Sequence, residues 1–170
     1  SRADTDGVPT AVMVDYYRQR ASAGLIISEG IAPSADGLGY CRTPGLYARE
    51  QVTAWRQVTD AVHAEGGRIV AQLMHCGRVC SHFNKPEEAE TVAPSAVRAA
   101  GRIYTDAAGM QELDLPRALA LEEIPAVVDE YATATRHALA AGFDGVELHC
   151  TSGYLPMQFL ASNSTLRTDA

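Results

Sequence analysis

The chain has 170 residues, 46% of them hydrophobic and 21% charged, and a formal net charge of −7 with only 14 Lys and Arg. That length supports one domain with its own core. The acidic balance excludes the basic face of a nucleic-acid binder, and no apolar run approaches a membrane span. The opening Ser1-Arg2-Ala3-Asp4-Thr5-Asp6-Gly7 lacks the apolar core of a signal peptide. Cys41, Cys76, Cys80 and Cys150 are scattered rather than framed, so reduced thiols and a cytoplasmic location are expected.

Thr10 to about Ser22 is predicted as a helix, with Val12, Tyr16 and Gln19 on one stripe and Arg18 and Arg20 on another. Gly24 ends it, and Leu25-Ile26-Ile27-Ser28-Glu29 reads as a short buried strand. Gly30 to Leu46 holds four glycines and two prolines, the composition of a long loop. Arg49 to about Glu65 is the second helix, with Val52, Trp55, Val58, Thr59 and Val62 on its apolar face. Gly66-Gly67 stops it, and Arg68 to His75 is the second strand. Prolines and glycines interrupt the pattern from Cys76 to Leu121, where Arg102-Ile103-Tyr104 belongs to a small hairpin.

The third helix is expected from about Glu122 to Ala141, with Pro125 in its first turn. Ile124, Val127, Val128, Tyr131, Thr135, Ala138 and Leu139 form its expected buried stripe. Gly142 caps it, and Gly145 to His149 is the third strand. Three helix-then-strand units with long loops after the strands imply parallel strands joined by right-handed crossovers. Three strands cannot close a barrel, so the pattern describes either a small open sheet or a part of something larger.

Several groups invite chemistry. His149, Ser152 and Tyr154 follow the third strand within six residues. A histidine there offers a donor to a carbonyl oxygen and a tyrosine offers a proton to a developing carbanion. Equally, the histidine could bond backbone and the tyrosine pack under a loop. Gln72, inside an apolar strand, needs a partner: the imide edge of a heterocycle or a neighbouring strand. His75, Cys76, Cys80 and His82 are metal-ligand types, but Cys-x3-Cys-x-His matches no standard zinc knuckle. Glu29 and Glu147 are read as satisfying basic groups or loop backbone rather than as a catalytic pair.

A collinear set of motifs runs through Tyr17-x-Gln19-Arg20-Ala21-x-Ala23-Gly24-Leu25-Ile26-Ile27-Ser28-Glu29-Gly30, Gly39-Tyr40, Pro44-Gly45 and Glu50-Gln51-Val52. It continues in Trp55-Arg56-x-Val58-Thr59-Asp60-Ala61-Val62-His63, Gln72-Leu73-Met74-His75-x-Gly77-Arg78 and Ala93-Pro94-Ser95. Gly142-Phe143-Asp144-Gly145-Val146-Glu147-Leu148-His149, Gly153-Tyr154-Leu155, Gln158-Phe159-Leu160 and Arg167-Thr168-Asp169 complete it. Taken together, these residues resemble the old yellow enzyme family, FMN-dependent ene-reductases that include N-ethylmaleimide and 12-oxophytodienoate reductases.

The resemblance implies an α/β chain that is part of a (β/α)8 TIM barrel, with about three of the eight strand units, like strands 2–4 of the family. Residues 1–170 would form a single partial TIM-barrel domain, truncated at both ends relative to the family. It implies non-covalent FMN recharged by NADPH or NADH, with Gly30 meeting the flavin through backbone and Gln72 pairing with its pyrimidine edge. His149 would bind the carbonyl oxygen of a small-molecule activated alkene, and Tyr154 would protonate the α-carbon. The second carbonyl-binding position, Asn or His in many members, is Ser152 here, a shorter side chain with a single donor. Two other readings compete: an inactive α/β fragment that self-associates through exposed sheet edges, and a metal-binding module. An aldolase-type barrel is disfavoured because no lysine stands on a strand.

Overall fold

The structure, a computed structural model, describes residues 1–169. Each expected helix–strand unit forms. Helix α1 (Ala11–Arg18) and a 3-10 turn at Ala21–Ala23 lead into strand β1 (Leu25–Ile31). Helix α2 (Arg49–Ala64) leads into β2 (Arg68–Leu73). Between β2 and the third unit lie β3 (Val92–Ala93), the hairpin of β4 (Arg102–Thr105) and β5 (Gly109–Glu112), and β6 (Arg117–Ala118). Helix α3 (Ile124–Ala140), β7 (Gly145–Leu148) and a short helix α4 (Leu155–Leu160) complete the order.

Strands β1, β2 and β7 form one parallel sheet in that spatial order. Parallel pairing follows from the crossovers, because each helix carries the chain back to the start of the next strand. The ladder is regular except between Ile27 and Gly30, where β1 carries an extra residue and Gly30 falls opposite Gln72. The Ser28 hydroxyl pins the irregularity: it accepts from the Gln72 N–H at 3.0 Å and donates to the Glu29 carbonyl at 2.7 Å.

One face of this sheet is covered. Ile26, Ile31, Ile69, Ala71 and Leu73 pack with Trp55, Val58 and Val62 of α2 and Ala134 and Ala138 of α3. Trp55 is fully buried, its ring 5.2 Å from Phe143 and 6.0 Å from Tyr17, and its indole N–H donates to the Gly45 carbonyl. Gln51 closes the start of α2, its side-chain oxygen accepting from the N–H groups of Tyr47 and Ala48. After α3, Gly142 takes the left-handed backbone (φ 84°) that lets the chain turn directly into β7. There Asp144 accepts from the Ile69 N–H and pairs with His63 and Arg68, each at 2.9 Å.

Several expectations change. Helix α1 is shorter than predicted and buries Met13 and Tyr17, while Val12 and Tyr16 are exposed. Both pairs are four apart, so periodicity alone cannot choose between them. The Tyr17 hydroxyl makes the choice: it bonds the Glu29 N–H and carboxylate at 2.9 and 3.1 Å. In α3 the buried positions are Ala134 and Ala138, whereas Val128 and Leu139 are exposed. Ala134 and Ala138 sit in the core, with Tyr131 packed against it. Helix α4 and the parallel β3–β6 pair add to the expected elements.

Candidate active site

The carboxyl ends of β1, β2 and β7 converge on one rim, and the side chains there follow strand alternation. Gln72 and Glu147 are register partners on neighbouring strands and point to the uncovered face, where the Gln72 amide donates to the Glu147 carboxylate at 2.7 Å. That bond orients the amide, leaving its second N–H and its carbonyl oxygen toward the open side. Glu147 thus serves Gln72 rather than a basic group, correcting the expectation from sequence. Glu29 likewise serves Tyr17, not a cation. Two places beyond Glu147 on the same strand face is His149, tied to β2 through its N–H and the Leu73 carbonyl.

After His149 the chain turns back over the rim. Ser152 adopts a left-handed backbone (φ 58°), its hydroxyl 3.2 Å from that of Thr151, and its side chain is exposed. Tyr154 comes back against His149, the rings meeting edge-on with centroids 4.9 Å apart. On its other side the Tyr154 hydroxyl lies 3.2 Å from that of Tyr40. Burial, then the Tyr40 hydroxyl, raises the Tyr154 phenol well above its usual range. The structure therefore brings His149 and Tyr154 together, with Gln72 on the adjacent strand and Gly30 opposite Gln72. Ser152 stands at the outer edge of this group.

One buried side chain holds the turn. The Gln158 amide donates to the carbonyls of Cys76 and Gly153 at 3.0 and 2.7 Å and accepts from the Arg78 N–H at 3.2 Å. Gly77 allows this, because a Cβ there would stand 2.2 Å from the Gln158 side-chain oxygen. Next to it, His75 is fully buried, and its Nδ1 accepts from the Gly77 N–H at 3.1 Å. Burial first, and then Lys85, depresses its pKa to about 3, so the ring is neutral.

The four metal-ligand types do not assemble. Cys76 is buried with its thiol pushed up to about 12 by burial, Cys80 bonds Thr91, and His82 pairs with Asp114 at the surface. Among the described residues no group of three or more His, Cys, Asp or Glu is placed to hold a metal ion.

A flavin fits the residues present. Gln72 offers a donor and an acceptor side by side, the complement of an imide edge. Gly30 stands opposite Gln72 at the rim with the Met74 side chain packed against it, where a Cβ would stand 2.6 Å from the Met74 methyl.

The sequence pattern of the NADH:flavin oxidoreductase / NADH oxidase family matches residues 1–170. A probable flavin mononucleotide-dependent alkene reductase of Leishmania infantum is 45% identical over 172 residues, covering 99% of this chain and 47% of the relative. The 12-oxophytodienoate reductase 7 of Oryza sativa subsp. japonica is 40% identical, covering 96% of this chain and 42% of that protein. The old yellow enzyme homologue of Zymomonas mobilis superposes with a TM-score of 0.94 at 48% identity, over 99% of this chain and 46% of its own. Morphinone reductase in complex with tetrahydroNAD gives 0.91 and 44%, over 99% and 47%. The chain thus spans about half the length of the curated relatives it matches, and its three-stranded sheet is part of a (β/α)8 barrel. It belongs to the NADH:flavin oxidoreductase / NADH oxidase family, in company with the old yellow enzyme homologues.

Proposed function

We propose that the chain is the substrate-activating portion of an FMN-dependent reductase of α,β-unsaturated carbonyl compounds, a single partial barrel domain over residues 1–170. The observation that carries this reading is the contact of His149 with Tyr154 on the strand-end rim, beside the oriented Gln72 amide. FMN, recharged by NADPH or NADH, supplies the hydride for the β-carbon. Gln72 and the Gly30 backbone hold the flavin. His149 donates to the substrate carbonyl oxygen, where enolate charge gathers as the double bond is reduced. Tyr154 gives its proton to the α-carbon. A phenol held neutral by burial keeps that proton until a strongly basic carbon appears.

Ser152 assists from the edge of the pocket through its single hydroxyl, reaching the oxygen by way of water. The four free thiols and the nicotinamide requirement favour a cytoplasmic setting. No helix among the described residues is long and apolar enough to cross a membrane.

The test is a split of the two half-reactions in the complete flavoprotein. Tyr154→Phe slows reoxidation of the flavin by an enone about 100-fold or more, the scale of a lost general acid, and leaves flavin reduction by NADPH near the parent rate. Equal loss in both halves removes Tyr154 as donor.

A second reading has its own observation. The sheet-edge residues Leu25, Ile27 and Leu148 are 56, 48 and 51% exposed. As a separate polypeptide, the chain would cover these edges by pairing with a second copy. Light scattering that gives a monomer across the micromolar range rejects this.

A further inference from the structure

Tyr40 lies 114 residues from Tyr154 in sequence, in the loop after β1, yet their hydroxyls are 3.2 Å apart and either oxygen can be the donor. The rings meet edge-on with centroids 6.5 Å apart. We propose that Tyr40 relays protons to Tyr154: as Tyr154 gives its proton to the substrate carbon, the Tyr40 hydroxyl passes one to the Tyr154 oxygen and is refilled from water. This rests on Tyr154 being the donor.

Negative charge is not tolerated equally at the two tyrosines. Proton transfer from Tyr154 alone leaves a phenolate in a half-buried site, and burial already holds that phenol above its ordinary range. Tyr40 is 38% exposed, so its oxygen can be solvated. Moving the Tyr40 proton inward transfers the negative charge outward, from the more buried tyrosine to the more exposed one. The balance is simple. The Tyr154 O–H bond breaks and a C–H bond forms on the substrate; the Tyr40 O–H breaks and re-forms on Tyr154; water or a buffer acid restores Tyr40. No electrons move in the relay.

The Tyr40 loop is built to hold this geometry. The Thr43 hydroxyl donates to the Tyr40 carbonyl at 3.1 Å, and the Asn84 amide donates to the Gly39 carbonyl at 3.0 Å. Arg42 takes a left-handed backbone (φ 58°) and pairs with Asp106 at 2.9 Å. Contacts on both sides of Tyr40 therefore fix a side chain whose outer part is exposed. An O···O distance of 3.2 Å is long for two hydroxyls at rest, and hydrogen bonds of this kind tighten as charge develops.

The test uses the complete flavoprotein and Tyr40→Phe, which keeps the ring contact and removes only the hydroxyl. Enone-dependent flavin reoxidation is expected to slow about tenfold, the low end of what a positioned acid contributes, while NADPH-dependent reduction is unchanged. The rate plotted against the D2O fraction is expected to bow in the parent, with two protons moving, and to be linear in Tyr40→Phe. Tyr40→His, which restores a titratable donor, recovers rate with a new pH dependence. A linear plot in the parent, or a Tyr40→Phe rate equal to the parent's, overturns the relay.

A readout without flavin is available on the 170-residue chain. The 13Cζ resonance of Tyr154 should shift in Tyr40→Phe. An unmoved resonance denies the hydrogen bond. Failure of the underlying reading looks different: Tyr154→Phe itself would then reoxidise at the parent rate.

Discussion

The covered face of the sheet and the loop layer over its carboxyl rim are held by different forces. Beneath the sheet, Trp55, Val58, Val62, Ile69, Ala71 and Leu73 interlock with no exposure, and stability there comes from apolar area. Above the rim, loops distant in sequence are joined by single buried polar side chains, with Gln158 bonding three backbone groups at once. Apolar packing tolerates replacement by shape, whereas a buried polar bolt fails when one bond lacks its partner. The layer that carries the candidate site is therefore the part most sensitive to loss of one polar atom.

The contrast can be broken at its apolar end first. Trp55→Ala should cost about 3–5 kcal/mol in urea unfolding and lower protection of sheet and loops alike. Gln158→Leu keeps volume but strands the Arg78 N–H and two carbonyls, at about 1–3 kcal/mol. Its signature is local: hydrogen exchange should quicken at Arg78 and around Tyr154 while β2 amides stay protected. Uniform loss across both regions would dissolve the distinction.

Acid separates the regions again. His75 is neutral when folded, with its pKa depressed from 6.5 to about 3, so the unfolded chain binds a proton that the folded chain refuses. Its contribution is complete above about pH 6.5 and declines toward pH 3, by at most about 1.4 kcal/mol per pH unit. Asp144, in the turn into β7, opposes its own partial burial through the Ile69 N–H, His63 and Arg68, and its pKa falls from 3.8 to about 2. That contribution is complete above pH 3.8 and is lost toward pH 2. Unfolding midpoints measured across pH should show the loop window first, and His75→Asn should flatten it. The smallest effect belongs to the surface: breaking the exposed Arg102–Glu112 pair, at 3.7 Å, should change stability by less than about 0.5 kcal/mol.

The covered face was the legible half. Helix α2 and the three strands could be read because Trp55, Val58, Val62 and the β-branched runs repeat at the period of their own elements. What could not be read were choices made by a distant partner. Whether Tyr16 or Tyr17 faces inward is decided by Glu29, and the buried side of α3 is the one whose Ala134 and Ala138 join the core. At the rim, His149, Tyr154 and Gln72 were visible as polar groups at strand ends. Tyr40 and Gln158 were visible only as letters in a motif, because their roles exist only once loops far apart in sequence meet. Glu147 did leave a signal. It is an acid two places before His149, hence on the same strand face, and it stands directly opposite Gln72 on the neighbouring strand.

The extra residue between Ile27 and Gly30 carries a consequence for how this segment can vary. A strand is a two-beat rhythm, and one added beat reverses every later accent. Ile26 and Ile31 share the covered side only because that beat is there, and Gly30 meets Gln72 for the same reason. Straightening this strand without removing a residue would exchange the destinations of Gly30 and Ile31, an isoleucine at the rim and a glycine in the core, whereas deleting one residue at 28–29 would leave Gly30 opposite Gln72 and Ile31 opposite Leu73 in a regular ladder. The irregularity, held by the Ser28 hydroxyl between the Gln72 N–H and the Glu29 carbonyl, is thus what makes the present spacing from Ile26 to Ile31 compatible with the core.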